Sequence, residues 1–309
     1  MIEAALLFPE IDPVALHIAG PVALRWYALA YVAGLVLAWW GIVRALRNKR
    51  LWSAPPFNGK PPATEDDVGD LVAWATLGVI AGGRLGWDLF YGVILCSTTP
   101  DAGGACAGLP GDFLVRPWRL LAEWNGWMPQ FLGMSFHGGL IGVMVAVWLF
   151  CRRRKLNLLQ VADLIAVFAP IGLFFGRIAN FVNGELWGRV TDVSWGMVFC
   201  NRFIIQMTGG CPAGPLPRHP SQLYEAALEG VTLFLILQVG MRVFQWHRRP
   251  GLLAAMFFLG YGLFRFIVEF FREPDAPFLG FLTMGMALSL LTWVAGAWLL
   301  RVALKPKTA

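Results

Sequence analysis

Charge is scarce in this sequence. Only 14% of its 309 residues are Asp, Glu, Lys or Arg, where a soluble domain carries about 25%. With 57% apolar residues and a mean hydropathy of +0.60, one aqueous core cannot hide the apolar content. Histidine is scarcer still. His17, His137, His219 and His247 are the whole set, and none has ligand-like spacing, so neither a metal nor a cofactor is expected. No GxSxG motif supports an intramembrane serine protease, and the inverted repeat of many secondary transporters is missing. Residues 1–20 hold no Lys or Arg and include Glu3, Glu10 and Asp12, so a signal peptide with a basic start is not expected. The net charge of +6 does not point to nucleic acid, because the basic residues form short clusters between apolar runs.

Those runs define the class. About 20 apolar residues span the hydrocarbon core of a bilayer, and seven runs are long enough: 22–43, 68–95, 131–150, 161–181, 223–240, 252–271 and 282–300. In lipid each must be a helix, since every backbone group needs a partner within the segment. The expectation is an all-α polytopic membrane protein with seven transmembrane helices. It is expected to form one membrane-embedded domain, 1–309, and an odd number of spans puts the termini on opposite sides.

Lys and Arg set the orientation. One set of connections carries Arg44, Arg47, Lys49, Arg50, Lys60, Arg152, Arg153, Arg154, Lys155, Arg242, Arg248, Arg249, Arg301, Lys305 and Lys307. The other carries only Arg116, Arg119, Arg189, Arg202, Arg218 and Arg272. The N-terminus is therefore expected outside and the C-terminus in the cytoplasm. The long external connections are then 96–130 and 182–222, the second large enough for a small periplasmic cap. Cys96 and Cys106 share one, Cys200 and Cys211 the other, and Cys151 abuts the cytoplasmic basic cluster. Disulfides persist outside the cytoplasm, so bridges Cys96–Cys106 and Cys200–Cys211 with Cys151 free stand against four unpaired cysteines.

Ionisable residues inside spans are costly and mark function by default. At 1.5 Å per residue, Arg177 lies roughly 24 Å from the cytoplasmic start of its span, and Arg265 and Glu269 roughly 20 and 26 Å from theirs. Arg84 and Asp88 are similarly high, and Tyr27 and His137 sit just below external ends. One polar cavity opening to the outer leaflet would gather them. Arg84 and Asp88, four residues apart, equally suit a structural ion pair. Arg25 most simply snorkels beside Trp26 and Tyr27. Asp70 and Asp163 suit helix N-termini and receive no catalytic role. Glu225 and Glu229 share a helix face, and their role stays open between structural and catalytic.

The densest signal is GRIANFVNGELWGR at 176–189. Arg177 and Asn180 share a face, and Asn183 and Gly184 favour a turn that aims Glu185 back toward the membrane. An elaborate helix cap is the alternative reading. Tyr261, Arg265 and Glu269 in GYGLFRFIVEFFREPD stack a phenol, a guanidinium and a carboxylate along one stripe. In GMSFHGGL the glycines beside His137 permit close helix packing or lipid approach, while a lone histidine is more often structural.

These blocks, with PVALRWYALAY, GGRLGWDLFY and HPSQLYEAALEG, resemble the bacterial prolipoprotein diacylglyceryl transferases over nearly the whole length. Ala179 departs from the family's usual glycine, Arg25 stands where some members carry histidine, and the external insert differs in length. The resemblance implies transfer of diacylglyceryl from phosphatidylglycerol to the lipobox cysteine of a prolipoprotein signal peptide, forming a thioether and releasing glycerol phosphate. It implies phospholipid binding by Arg177 and involvement of Tyr27, His137, Asn180, Glu185, Tyr261, Arg265 and Glu269. Asn183, Arg84 and Arg272 are placed with the substrate-binding residues. Expected partners are these two substrates and membrane lipids, and a monomer is expected.

The chemistry assigns roles. A thiol must lose its proton, and a departing phosphomonoester needs pre-placed positive donors. Arg177 is expected to hold the phosphate and Arg265 to meet the charge on departure. His137 is one candidate base, although the arginines' potential also favours the thiolate. Glu269 and Glu185 are expected to orient the arginines, and Tyr261 and Asn180 the head group. Two rivals remain. A transporter requires polar residues through the cytoplasmic half, and a non-catalytic lipid-binding subunit requires no turnover.

Overall fold

The computed structural model of the chain describes residues 6–19, 22–87, 123–125, 128–130, 135–273, 277–279 and 282–305. Seven long helices dominate the described residues: α1 (Trp26–Arg47), α2 (Glu65–Trp87), α3 (Phe136–Arg154), α4 (Leu158–Val182), α5 (Ser221–Arg242), α6 (Leu252–Val268) and α7 (Met284–Leu304). The described part of each apolar run read from the sequence overlaps one of them, although 22–25 and 282–283 are strand and 269–271 are turn. By length and composition α1, α2, α4, α5 and α7 can cross a membrane. α6 is apolar but has 17 residues, and α3 ends in three arginines. Short two-stranded ribbons, such as Val14–Ala19 with Val22–Arg25, complete the connections.

The chain divides into two compact units, Ala63–Leu158 and the remainder, Met1–Pro62 with Leu159–Ala309. In the first, α2 starts where the Asp67 N–H donates to Thr64 Oγ1 while Thr64 N–H and hydroxyl donate back to Asp67. This reciprocal arrangement satisfies donors that a helix start leaves open. α2 packs on α3 through Gly78, Gly82 and Gly86 facing Gly138 and Gly142, and a Cβ on Gly78 would lie 2.6 Å from the Gly142 carbonyl. Small residues let backbones approach without the hydrophobic drive that lipid removes. The glycines after His137 therefore serve helix packing. Arg154 pairs with Asp67 and Asp70, and Cys151 is buried and free.

In the second unit Asp163 of α4 accepts hydrogen bonds from the N–H groups of Gly251 and Ala254 at 2.7 and 2.8 Å. It thus caps the start of α6, a helix N-terminal role on a neighbouring helix. After α4, residues 183–220 fold over a small apolar core of Phe8, Met197, Phe199, Ile204 and Ala213, against which Phe181 and Trp187 pack. The N-terminal strand joins this core, Leu6–Leu7 pairing in parallel with Met197–Val198. Cys200 and Cys211 are bonded, with Cα atoms 5.3 Å apart. Cys96, Cys106 and Asp88 lie outside the described residues.

Candidate active site

α4 brings Arg177 to its last two turns and then stops. Gly184 adopts φ +65°, and the Glu185 N–H donates to the Asn180 carbonyl at 3.1 Å. The reversal returns the Glu185 carboxylate to the helix, where it accepts from Asn180 Nδ2 at 2.9 Å and Asn183 Nδ2 at 3.3 Å. The turn read from Asn183 and Gly184 is present, and its product is an Asn–Glu–Asn cluster. Tyr27, on the first turn of α1, lies within hydrogen-bonding reach of Asn180, and its hydroxyl meets that of Tyr31 at 3.2 Å.

Arg177 is not alone in the apolar layer. Its guanidinium faces Glu225 at 3.3 Å and Glu229 at 3.2 Å, both on α5 and both without exposed surface. Residues Ala226–Thr232 of α5 run as a π-helix, a widened turn that frequently occurs at functional sites. Gly230 lies within this turn against α4, and a Cβ there would come within 2.7 Å of Phe174 Cβ and 2.9 Å of its Cα. The missing side chain is thus what lets α5 approach α4 one turn from Arg177.

α6 supplies the other half. Arg265 donates to Glu225 Oε1 at 2.8 Å and pairs with Glu269 Oε2 at 2.7 Å, so two members of the sequence stripe are joined as expected. Arg272 also reaches Glu225 Oε1, at 3.2 Å. Glu269 is 3% exposed and accepts from the Thr283 hydroxyl at 2.7 Å. Its carboxylate occupies the space where a Cβ of Gly285 would stand. Tyr261 stacks nearly parallel on Phe257 at 6.0 Å and lies within electrostatic reach of Arg177, Arg265 and Glu229.

The result is an alternating network of three guanidiniums, Arg177, Arg265 and Arg272, and three carboxylates, Glu225, Glu229 and Glu269. Balanced charge is what permits so many ions in one buried site, because removing any partner strands another. Arg177 and Arg265 keep 16% and 13% of their side chains exposed, whereas Arg272 keeps 7%. Arg272 is thus the most enclosed of the three. Arg272 also anchors the loop after α4, its carbonyl accepting from Arg189 Nε at 3.0 Å.

Glu225 and Glu229, whose role the sequence left open, prove to be the hub, and Thr283 went unremarked. Charge balance was the signal, since two carboxylates one turn apart in an apolar run call for arginines from elsewhere. Arg84 belongs to the other unit, where it is buried at 5% exposure. His137 lies on the first turn of α3, in the same other unit, and its side chain is outside the described residues. Among the described residues no cluster of His, Cys, Asp and Glu has a metal-binding arrangement.

Residues 13–302 match the family model for prolipoprotein diacylglyceryl transferase. A protein of Caulobacter sp. (strain K31) named phosphatidylglycerol–prolipoprotein diacylglyceryl transferase is 50% identical, covering 97% of this chain and 95% of its own. Proteins of the same name from Phenylobacterium zucineum (strain HLK1) and Rhodospirillum rubrum are 46% and 47% identical over 97% and 98% of this chain and 96% of each relative. With a match of this extent, the chain belongs to the prolipoprotein diacylglyceryl transferase family.

Proposed function

We propose that this chain transfers the diacylglyceryl group of phosphatidylglycerol to the lipobox cysteine of prolipoproteins, and that the Arg177–Glu225–Arg265 bridge is the centre of its active site. The observation that carries the proposal is that bridge itself. Guanidiniums from two helices meet on one buried carboxylate, each keeping an exposed face. The reaction asks for this. A thiolate attacks the glycerol carbon that bears the phosphate, a C–S bond forms, the C–O bond breaks, and glycerol phosphate leaves with the electron pair. Arginine forks match phosphate oxygens bidentately. Arg177 holds the phosphate of the bound lipid, and Arg265 meets the charge that grows on departure. Each such donor is worth about 2.7–4 kcal/mol of barrier by analogy with oxyanion donors.

Glu225, Glu229 and Glu269 hold the guanidiniums in place before substrate arrives, so little reorganisation is left for the reaction step. Glu185, Asn180, Asn183 and Tyr27 bind the glycerol head group beside Arg177, and Tyr261 faces the same region. His137 is the candidate base, on the strength of the family resemblance alone. The positive potential of the arginines favours the thiolate in any case.

In this reading all seven helices cross the inner membrane as one catalytic chain, with the N-terminus outside and residues 182–222 forming a periplasmic cap. The arginine network then faces the outer leaflet, the prolipoprotein signal peptide docks from there, and a monomer is sufficient. The deciding experiment is release of glycerol phosphate from phosphatidylglycerol by the purified protein in detergent, dependent on a lipobox peptide containing cysteine. Absence of release with an intact peptide rejects the reading, and release with a serine peptide rejects the thiol as acceptor.

A further inference from the structure

The end of α5 remote from Glu225 holds a second cluster of guanidiniums, and among the described residues this one lacks counter-ions. α5 ends at Arg242, and Gln245, in the left-handed region at φ +57°, starts a 3-10 turn over Trp246–Arg248. His247 within that turn is 3% exposed. Its Nδ1 lies 2.9 Å from the Met241 carbonyl and its Nε2 2.8 Å from the Leu51 carbonyl. The ring stacks on Phe57 at 5.8 Å and meets Trp52 edge-on at 5.4 Å. His247 thereby clamps the turn to the short helix Lys49–Trp52.

The clamp leaves a cavity of about 230 Å³ lined by Asn48, Arg50, Arg242, Gln245, His247 and Arg248, together with Leu51. Among the described residues, no carboxylate forms an ion pair with Arg50, Arg242 or Arg248. Arg242 Nε donates to Gln238 at 2.8 Å, which leaves its terminal amino groups uncommitted among the described residues. Arg248 Nε is buried and has no hydrogen-bond partner among the described residues. A buried donor left open costs roughly 1–3 kcal/mol, a cost that a bound oxyanion removes. Arginines that merely snorkel to a membrane interface account for exposed Arg50 and Arg242, but not for the buried open donor or the cavity.

We propose that this cavity is a second phosphate-binding site, built for the phosphate oxyanion of an anionic phospholipid head group or of a free phosphate. The geometry favours the lipid. Glu225 and Arg242 lie 17 residues apart on one helix, at most about 26 Å at α-helical rise, which approaches the roughly 30 Å thickness of a hydrocarbon core. A chain whose Arg177–Glu225 bridge serves one head-group layer thus presents this cavity to the other. Val243 and Phe244, 67% and 64% exposed, adjoin Arg242 and give acyl chains an apolar flank. Basic pockets between membrane helices bind anionic head groups in this way.

The test uses the full-length protein in detergent, as wild type and as the double variant Arg50→Gln/Arg242→Gln. Both substituted side chains are exposed and stand outside the transferase site. Native mass spectrometry reads retention of dioleoyl phosphatidylglycerol and of dioleoyl phosphatidylethanolamine, and thermal unfolding reads protection by inorganic phosphate. Wild type retains one more phosphatidylglycerol than the variant, each glutamine weakening it about tenfold, while phosphatidylethanolamine retention is equal. Protection of wild type alone by inorganic phosphate assigns the site to free phosphate, and its absence assigns it to lipid. Identical behaviour of both proteins toward every probe overturns the proposal. Unchanged glycerol phosphate release by the variant shows that it is folded, and keeps failure here distinct from failure of the transferase reading.

Discussion

Glu225 and Arg265 meet at 2.8 Å on a carboxylate with no exposed surface, and the same carboxylate holds Arg177 and Arg272. One residue therefore neutralises parts of three guanidiniums. Replacing it by glutamine keeps the shape and removes the charge. Breaking a buried ion pair by removing one partner costs about 3–5 kcal/mol, so Glu225→Gln is expected to lower thermal stability markedly. Turnover should fall by about a hundredfold, the scale of a 1 Å misplacement of catalytic groups. Near-normal kcat in the purified variant would remove Glu225 from the positioning role.

Gly230 gives a test that touches no charge. A Cβ there collides with Phe174 backbone and side chain, so Gly230→Ala must push α5 away from α4. The expected cost is about 1–3 kcal/mol, as for overpacking elsewhere. Activity should fall further than stability, because the Arg177–Glu229 pair spans this contact. Gly69, which has open space around its Cα, is the control. Equal activity losses for Gly69→Ala and Gly230→Ala would contradict the close-approach argument.

In the proposed mechanism Arg177 serves binding and Arg265 serves departure. Arg177→Ala is expected to raise the KM for phosphatidylglycerol and lower kcat together. Arg265→Ala should lower kcat by about a hundredfold or more with a smaller effect on KM. Membrane insertion of both is retained. His137→Asn tests the base: most activity surviving would reduce the histidine to positioning. Steady-state release of glycerol phosphate across lipid concentrations measures all three.

The long helices were legible because bilayer length and apolar runs leave little freedom. α4 carried its site residues within a single contiguous block, so Arg177, Asn180 and Glu185 could be grouped from spacing alone. The partner of Arg177 was not legible, because Glu225 and Glu229 lie about fifty positions further on and nothing local says which arginine they face. Their spacing of four residues signalled a shared face, but nothing in the local sequence signalled the π-turn at Ala226–Thr232 or the contact of its Gly230 with Phe174. Arg272 stood among the substrate-binding expectations, and its pairing with Glu225, 47 positions away, left no local trace in the sequence. The ribbon of Leu6–Leu7 with Met197–Val198 escaped for the same reason, since a pairing nearly 200 residues apart leaves no periodic trace.

His247 supplies a pH dependence whose sign can be worked out. Burial is the largest influence and pushes its pKa below the usual imidazole value, and the adjacent Arg248 charge pushes the same way. The Leu51 and Met241 carbonyls pull upward without prevailing. The unfolded chain therefore takes up a proton on this residue near about pH 6.5, while the folded chain waits for more acid. Above that pH both states are neutral here and the residue adds no slope. As pH falls through the window, the unfolded state binds more protons and native stability declines. The decline stops once the folded imidazole is itself protonated. Thermal unfolding in detergent between about pH 5 and pH 8 should show this loss in wild type and a shallower one in His247→Gln, whose amide does not titrate. Parallel curves for the two proteins would mean that the imidazole is not held neutral by its burial.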